Sequence, residues 1–388
     1  MDISKFIDGK AGKIEENTEI IDKHPEKYFY FYPNPLPIEL TLESSTFNKL
    51  HDALLCLGEL KGLTKTIRNI NLFISTYKNR EAVLSSKIEG TIVSLSDVFL
   101  SEAGSKERLR IKEILEVRNY RKSLNFALGE LALGKSIDKN MINQMHGILL
   151  NRVRGSERKI GQYRERQNWI GRSPNIKEAE FVPPPAIYVP NLMEDLFRFV
   201  NESNLPSLIK ICLMHYYFET IHPYEDGNGR LGRTLIILYL SQLKVIENPI
   251  LYLSPFLEKN KDDYYELLMQ IRKSGNFTPW LNFFLDGVAE VSVSTSQSIK
   301  KMLQLYDDYK IKLNEIRATS ISFILLDKFF ENPYSTIPNL QKQLNANYPL
   351  IKRGIGNLIK CDLIQEITEQ KRNKFYVAPK VLEIVENT

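Results

Sequence analysis

The sequence predicts a mainly helical protein that contains two small β-hairpins, one in its central part and one near its C-terminus. Apolar residues recur at helical spacing through most of the chain, for example at Leu54, Leu57 and Leu60. Residues 151–190 are instead rich in Gly, Pro and Arg, which indicates loops with one short hairpin. Beyond residue 315, three short helical patterns precede two alternating segments that a polar turn joins.

The individual elements follow from the same patterns. Residues 1–40 favour an irregular arm, because Pro33, Pro35 and Pro37 break helices and favour extended backbone. Helices are expected from residue 41 to about 100, over 108–133, and over 139–150 with Asp138 as N-cap. Further helical patterns cover 191–203, 207–221, 230–243, 261–273 and 279–311.

The C-terminal region has the element order of a winged helix. Its helical patterns are 318–331, 335–345 and 348–363, and its strands are 364–368 and 374–377. Residues 312–388 carry 11 Lys and Arg against 8 Asp and Glu, with Lys352 and Arg353 on the third helix and Lys371, Arg372 and Lys374 on the wing. This charge is compatible with phosphate contacts to DNA, and equally with a domain that contacts only protein.

Composition limits the remaining function classes. A chain of 388 residues exceeds one compact core, so two or three domains are expected. The net charge of +5 is too small to argue by itself for nucleic acid or an anionic membrane surface. Three widely spaced cysteines without a CxxC pair predict neither a disulfide framework nor a zinc site. The first thirty residues are charged throughout and no long apolar run occurs, so a cytoplasmic location without membrane association is expected.

The segment IHPYEDGNGRLGRT, residues 221–234, contains the parts of an anion-binding site. Gly227 and Gly229 let the backbone turn sharply and present its NH groups, and the turn leads directly into a helix. The start of a helix attracts anions, and Asn228 can add an amide donor. Arg230 and Arg233 lie three residues apart and therefore share one helix face, where two guanidinium groups can clamp a polyphosphate.

Two further residues of this segment add a metal ligand and a base. Asp226 offers the hard oxygen ligands that Mg²⁺ prefers. His222 stands just before the loop, and an imidazole titrates near neutrality, as a general base must. A base, a metal ligand, an anion-binding turn and two arginines together describe phosphoryl or nucleotidyl transfer.

A competing interpretation of the same segment is the dinucleotide fingerprint. Gly227, Gly229 and Gly232 match GxGxxG. That fingerprint requires a preceding strand, whereas residues 207–221 show a helical pattern. A phosphate-binding GK[ST] loop is also absent from the sequence.

The run HPYEDGNGRLGR closely resembles the signature of the Fic family, HPFx[D/E]GNGRxxR. Tyr224 departs from the usual Phe, and its hydroxyl is tolerable if it finds a partner. The resemblance implies that His222 deprotonates a target hydroxyl, which then attacks the α-phosphate of ATP, and that Asp226 holds Mg²⁺. The implied nucleotide-binding residues are Gly227, Asn228, Gly229, Arg230, Leu231, Gly232, Arg233, Tyr264 and Tyr265.

Other segments extend this resemblance over about residues 85–290. FVPPPAIYVPNL, residues 181–192, looks like the Fic flap, a hairpin that docks the target by backbone pairing. SSKIEG, residues 85–90, resembles the inhibitory motif of the family, in which the glutamate (here Glu89) pairs with the second arginine (here Arg233) and blocks ATP. Tyr264 and Tyr265 lie in a stretch similar to the adenosine pocket. We assign His146 to packing, and the basic stretch 155–167 receives no catalytic role.

The resemblance implies four regions and one reaction. The regions are an N-terminal helical extension (1–107), a Fic core (108–290), a connecting helix (291–314) and a winged-helix domain (315–388). The expected reaction transfers AMP from Mg-ATP to a Ser, Thr or Tyr hydroxyl of a target protein or of the chain itself, and homodimers are plausible. Three alternatives stay open: another nucleotide or phosphate donor, removal of AMP, and DNA-binding regulation through 315–388.

Overall fold

The computed structural model describes residues 1–388 except 8, 22–23, 38–39, 68, 105–109, 156–158, 368–373 and 388. The protein is mainly helical, as the sequence predicts. The helices are α1 (Ser44–Thr66), α2 (Asn71–Ile88), α3 (Leu95–Glu102), α4 (Ile111–Ala132), α5 (Lys139–Leu149), α6 (Val189–Glu202), α7 (Ser207–Ile221), α8 (Asn228–Gln242), α9 (Ser254–Lys259), α10 (Lys261–Ser274), α11 (Thr278–Glu315), α12 (Ser320–Glu331), α13 (Ile337–Leu344), α14 (Tyr348–Lys360) and α15 (Pro379–Glu386). The strands are β1 (Gly12–Ile21), β2 (His24–Pro33), β3 (Tyr334–Thr336), β4 (Gln365–Glu366) and β5 (Phe375–Val377).

The prediction of an irregular arm over residues 1–40 is wrong, because β1 and β2 pair antiparallel from Gly12↔Pro33 to Ile21↔His24. The run KYFYFY supplies the aromatic residues that favour strands, and Tyr28 and Tyr30 bury their side chains on one face. The backbone NH of Phe31 also donates to the carbonyl of Val182 at 3.0 Å. The three prolines follow or end the strand, where a missing NH costs little.

The segment that resembles the flap is less regular than a hairpin. Its pairing is a single antiparallel bridge between Ile170 and Phe181. Three consecutive prolines, 183–185, then remove backbone donors, and a short 3₁₀ helix covers Ala186–Tyr188 before α6. The predicted hairpin is therefore reduced to one bridged pair of residues.

Backbone contacts group the chain into two compact units, each made of several segments. One contains residues 1–55, 122–247 and 256–289, and the other contains 56–121, 248–255 and 290–388. In the first unit, every residue of α7 from Leu208 to Ile221 is buried, as expected for a helix that is covered on all sides. The domain boundaries at residues 107, 290 and 314 remain predictions.

In the second unit, the C-terminal region contains the expected helices and hairpin. A three-stranded antiparallel sheet has the order β3-β5-β4, with Tyr334↔Val377 and Gln365↔Val377 in register. Helix α12 packs on α2, where the rings of Phe73 and Phe330 lie 6.2 Å apart. The predicted wing residues Lys371 and Arg372 lie outside the described residues, whereas Lys374 is described and pairs with Glu366.

None of the helices in the described part of the chain combines the length and the apolar character that crossing a bilayer requires.

Candidate active site

Helix α7 places His222 at the entrance of the motif loop. His222 is its C-cap, with left-handed backbone angles of φ 50° and ψ 61°. This region is uncommon for a residue other than glycine, and it turns the chain away from the helix axis. The imidazole keeps 20 % of its surface exposed, and its Nδ1 lies 4.0 Å from Oε2 of Glu219.

The loop after His222 is fixed by the side chain of Asn228. Its Oδ1 accepts from the backbone NH of Tyr224 at 2.9 Å, and its Nδ2 donates to the Tyr224 carbonyl at 2.7 Å. Asn228 is 1 % exposed, so its amide holds the loop closed. The hydroxyl of Tyr224 finds the partner that the sequence required, because it donates to Oδ1 of Asn143 at 2.7 Å. Burial raises the pKa of Tyr224 well above its usual value, which keeps the hydroxyl a donor.

The glycine-rich turn forms the predicted helix entrance. Gly227 is the N-cap of α8 in left-handed backbone, with φ 78°. The first helical hydrogen bond runs from Leu231 N to the Gly227 carbonyl at 3.0 Å. The NH groups of Asn228, Gly229 and Arg230 form the first turn of α8, at the end of the helix that carries the positive end of its dipole. A helix start of this kind binds phosphate oxygens.

Asp226 lies at the mouth of this helix and keeps 27 % of its side chain exposed. Its Oδ1 accepts from the Gly227 NH at 2.6 Å and lies 3.7 Å from a guanidinium nitrogen of Arg230. No group of three potential metal ligands occurs among the residues that the structure describes. One carboxylate beside a phosphate site nevertheless fits Mg²⁺, which takes one or two carboxylates and completes its shell with phosphates and water.

The two arginines of the motif lie in the first turns of α8. Arg230 is 1 % and Arg233 is 3 % exposed. The Arg230 carbonyl accepts from the Thr234 hydroxyl at 2.8 Å, which ties down the first turn. Two nearly buried guanidinium groups near one helix start place strong positive charge where the backbone already favours an anion.

His146, which the sequence assigned to packing, contacts this loop directly. Its Nδ1 accepts from the Gly161 NH at 2.8 Å, so the ring proton lies on Nε2, which donates to the Asp226 carbonyl at 3.0 Å. The ring stacks on Tyr224 with centroids 4.0 Å apart. Burial lowers the pKa of His146 to about 4, so the ring is neutral near pH 7.

The basic stretch 155–167, which received no catalytic role, and the adjacent Asn168 hold the backbone of His222 and Tyr224. Nε of Arg164 donates to the His222 carbonyl at 3.0 Å, and Nδ2 of Asn168 donates to the Tyr224 carbonyl at 2.9 Å. Gly155, from the same stretch, comes so close to Asp226 that a Cβ there would lie 2.7 Å from Oδ2. These contacts join parts of the chain more than 50 residues apart, so no local pattern indicates them.

The remaining nucleotide-binding candidates lie in different surroundings. Leu231 is fully buried, and a Cβ on Gly232 would lie 2.3 Å from Oε1 of Glu219, so Gly232 allows α8 to approach α7. Tyr264 is 1 % exposed, and its hydroxyl lies 2.8 Å from Nε2 of the buried His215. Tyr265 keeps 43 % of its surface exposed and therefore offers an accessible ring.

Glu89 belongs to the other compact unit, where it caps the end of α2. Its backbone NH donates to the Ser86 carbonyl at 3.1 Å, and Gly90 follows in left-handed backbone with φ 90°. Ser85 and Ser86 are fully buried, whereas Glu89 is half-buried. The glycine in the SSKIEG motif is therefore the residue that lets the chain leave the helix.

Comparison with known families agrees with this site. Residues 136–240 match the Fic/DOC family, and residues 47–129 match the N-terminal region of the Fic/DOC family. These two segments are therefore similar to Fic/DOC family domains. The hydrogen bonds described above for His222, Asp226, His146 and Arg164 join residues within 136–240.

Curated relatives are protein adenylyltransferases at modest identity. A probable protein adenylyltransferase of Aquifex aeolicus is 36 % identical over 93 residues, which cover 24 % of this chain and 27 % of the relative. Protein adenylyltransferase Fic of Drosophila yakuba is 25 % identical over 302 residues, or 74 % of this chain and 56 % of the relative. The chain thus spans about half the length of the Drosophila relative and about a quarter of the Aquifex one.

Solved structures share the fold. A Fic family protein from Desulfovibrio desulfuricans G20 aligns with a TM-score of 0.58 at 20 % identity and covers 89 % of this chain and 98 % of its own. A Fic domain containing signaling protein from Bacteroides thetaiotaomicron aligns with a TM-score of 0.51 at 17 % identity over 64 % of this chain and 95 % of its own.

Proposed function

We propose that this protein is a protein adenylyltransferase that transfers AMP from Mg-ATP to a hydroxyl group of a protein. The names of the Aquifex and Drosophila relatives support the reaction class. The observation that carries the proposal is the placement of His222 at the end of α7, one short loop before the start of α8. A base and a phosphate-binding helix start are thereby held in one rigid turn.

The reaction balances as a displacement at the α-phosphorus. The acceptor oxygen forms a bond to that phosphorus, and the bond from the phosphorus to the bridging oxygen of the β-phosphate breaks. The hydroxyl proton passes to His222, and pyrophosphate leaves. Asp226 would hold Mg²⁺, which supplies neutralisation of phosphate charge. Arg230, Arg233 and the first NH groups of α8 would hold the phosphates.

The direct test is labelling with α-³²P-ATP and γ-³²P-ATP in parallel. Transfer of label only from the α-labelled nucleotide indicates AMP transfer, and His222→Ala should abolish it. His51→Ala is the matched control, because His51 is an exposed histidine on α1. Survival of labelling in the His222→Ala protein would remove the assigned base, and label from the γ-position would indicate a phosphotransferase. Substitution of UTP, GTP or CTP tests the nucleotide.

Autoinhibition by Glu89 is part of the same proposal. The SSKIEG motif lies at the end of α2, with its glutamate half-buried and its glycine in left-handed backbone. Glu89→Gly should raise self-labelling by at least about tenfold, since one ion pair to an arginine is worth about that factor or more. Glu315→Gly is the control, because Glu315 is an exposed carboxylate in the last turn of α11. Equal labelling by the wild type and the Glu89→Gly protein would remove the inhibitory role. Faster release of AMP from labelled protein by wild type than by Glu89→Gly would instead indicate the reverse reaction.

A second candidate function concerns residues 315–388, which we propose to be a winged-helix domain. The sheet order β3-β5-β4 and the three helices α12, α13 and α14 that come before the β4–β5 pair support that assignment. Lys352 and Arg353 are exposed on α14, where a DNA-reading helix would need positive charge. The test is duplex binding by the full chain at increasing salt, with Lys352→Ala/Arg353→Ala as variant. If binding to the duplex is weak and changes neither with salt nor with the substitutions, the DNA-binding function is wrong and contacts with protein remain as the function of the domain.

A further inference from the structure

The loop 164–168 forms hydrogen bonds to two segments that the proposed reaction needs: the turn that carries His222, and residues 183–184 of the flap-like segment. Arg164 is 2 % exposed, and within the described part of the chain its guanidinium donates to backbone carbonyl oxygens. On one side it reaches the end of α7, with Nε at 3.0 Å from the His222 carbonyl and a terminal nitrogen at 3.3 Å from the Ile221 carbonyl. On the other side the same terminal nitrogen donates to the carbonyl of Pro184.

Other donors of the same loop also bind carbonyl oxygens of these two segments. The backbone NH of Arg164 donates to the Pro223 carbonyl at 2.9 Å, and Nδ2 of Asn168 reaches the His222 carbonyl at 3.3 Å. Nε2 of Gln167 donates to the Pro183 carbonyl at 2.9 Å. Residues 164–168, here called the clasp, thus bind carbonyls of 221–224 on one side and carbonyls of 183–184 on the other.

The carbonyl oxygens that residue 164 contacts explain why this residue is an arginine. The last carbonyls of a helix lack intrahelical partners and carry negative dipole charge, which a cation neutralises. Burial lowers the pKa of Arg164 to about 10, so the group stays charged near neutrality. Only a planar fork with several donors can reach both a helix end and a separate segment, which a lysine ammonium cannot do in the same geometry.

The left-handed backbone of His222 needs such support. A non-glycine residue at φ 50° is strained and persists only where surrounding contacts fix it. Two donors, from Arg164 and Asn168, fix the carbonyl of this residue. Arg164, Pro190 and the exposed Ile187 also line an open cleft of about 520 Å³, so the chain that directly follows the 183–184 segment borders an accessible space.

We infer that Arg164 is a positioning residue that holds the His222 backbone and the 183–184 segment in one geometry, so that the base and the docked acceptor hydroxyl meet. This inference rests on the proposed function. Because the clasp donates to neither Asp226 nor the helix start at 228–230, it acts on transfer and leaves nucleotide binding unchanged.

The test measures self-labelling from α-³²P-ATP in the Glu89→Gly background at varied Mg-ATP. Arg164→Gln should lower the maximal rate about 100-fold, since a misplacement of about 1 Å costs that factor, with the KM for ATP and the calorimetric Kd changed less than about twofold. Arg164→Lys should recover part of the rate, because its ammonium still neutralises the helix end. Arg272→Lys is the matched control. Arg272 is also buried and donates to the Glu219 carbonyl at 3.1 Å, and its guanidinium lies 4.0 Å from the centre of the Phe181 ring. Its described hydrogen bonds go to Thr220 and Glu219, not to the carbonyls that Arg164 holds.

Unchanged maximal rates in both Arg164 variants would overturn the inference. The inference would also fail if Arg272→Lys lowered the maximal rate as much as the Arg164 variants do. It would fail as well if nucleotide affinity fell by the same factor as the rate, because both results are expected of an arginine that only stabilises the fold. Should the Arg164 variants fail to fold, Asn168→Ala takes their place: a lower maximal rate at unchanged KM supports the inference and an unchanged rate opposes it. If the Glu89→Gly background labels neither itself nor lysate proteins, the proposed function itself fails.

Discussion

The Nε2 atom of His146 lies 3.0 Å from the backbone carbonyl oxygen of Asp226, so a neutral histidine from α5 holds the residue that is proposed to bind the metal. The Gly161 NH fixes the tautomer from the other side of the ring. The position of the Asp226 carboxylate therefore depends on a residue 80 positions earlier in the chain.

This contact predicts a loss of nucleotide affinity in His146→Ala. Removing the donor releases the Asp226 carbonyl and the stacked Tyr224 ring, and outer partners of metal ligands typically contribute about 10-fold or more to metal affinity. Calorimetric titration with Mg-ATP should show a Kd raised about 10-fold. His146→Gln keeps an amide donor and should lose less. Equal affinity in His146→Ala and wild type would contradict the positioning role.

Gly155 predicts a second effect on Asp226. A Cβ at this position would lie 2.7 Å from Oδ2, and its φ of +85° is unfavourable for alanine. Gly155→Ala should cost about 1 kcal/mol of stability because of backbone strain. It should also raise the Mg²⁺ concentration that half-maximal labelling requires, because the added Cβ displaces the Asp226 carboxylate. Gly134→Ala separates the two, because Gly134 has a similar φ of +81° with no atom within 4 Å of the added Cβ. If both variants titrate identically with Mg²⁺, steric contact with Asp226 has no role.

The hydroxyl of Tyr224 predicts a stability effect without a catalytic one. Tyr224→Phe restores the residue usual in the Fic signature but removes the hydrogen bond to Asn143. Unfolding in urea should show a loss of about 1 kcal/mol, while the labelling rate stays within about twofold. A large fall in rate at unchanged stability would show that the hydroxyl acts in the reaction.

His215 predicts the pH dependence of stability. Burial lowers the pKa of His215 to about 3, below the value of about 6.5 in an unfolded chain. Between these values the unfolded state binds the proton and the folded state does not, so stability falls as the pH decreases below about 6.5. From about pH 7 to about pH 5 this residue should account for about 2 kcal/mol.

Urea unfolding of wild type and His215→Gln at several pH values checks this prediction. His146 titrates in the same direction, so the variant should flatten only part of the slope. An identical slope in both proteins would mean that His215 takes up no proton on unfolding.

Local sequence patterns predicted the helices and the motif turn because both depend on residues close in sequence. The spacing of apolar residues gave α7 and α8, Asp138 caps α5 by accepting from Met141 N at 2.8 Å, and the glycines gave the turn at Gly227. The dinucleotide alternative failed for the predicted reason, since a helix precedes the glycines.

The remaining features depend on contacts between distant segments. In the sequence, Arg164 is one of several cations in a basic loop, and its role is visible only from its hydrogen bond to the distant His222 carbonyl. The β1–β2 hairpin was missed because three prolines outweighed the alternating aromatic residues before them. The residues 181–192 were expected to pair as a hairpin, but three prolines leave one bridge.

The most direct measurement of the central claim is intact-mass spectrometry of the Glu89→Gly protein after incubation with Mg-ATP, with released pyrophosphate measured in parallel. The proposed site predicts the addition of one or more AMP groups to protein hydroxyls, an equal amount of pyrophosphate, and neither product when His222→Ala is added. A protein that gains only phosphate, or that gains AMP equally well without His222, would contradict the account.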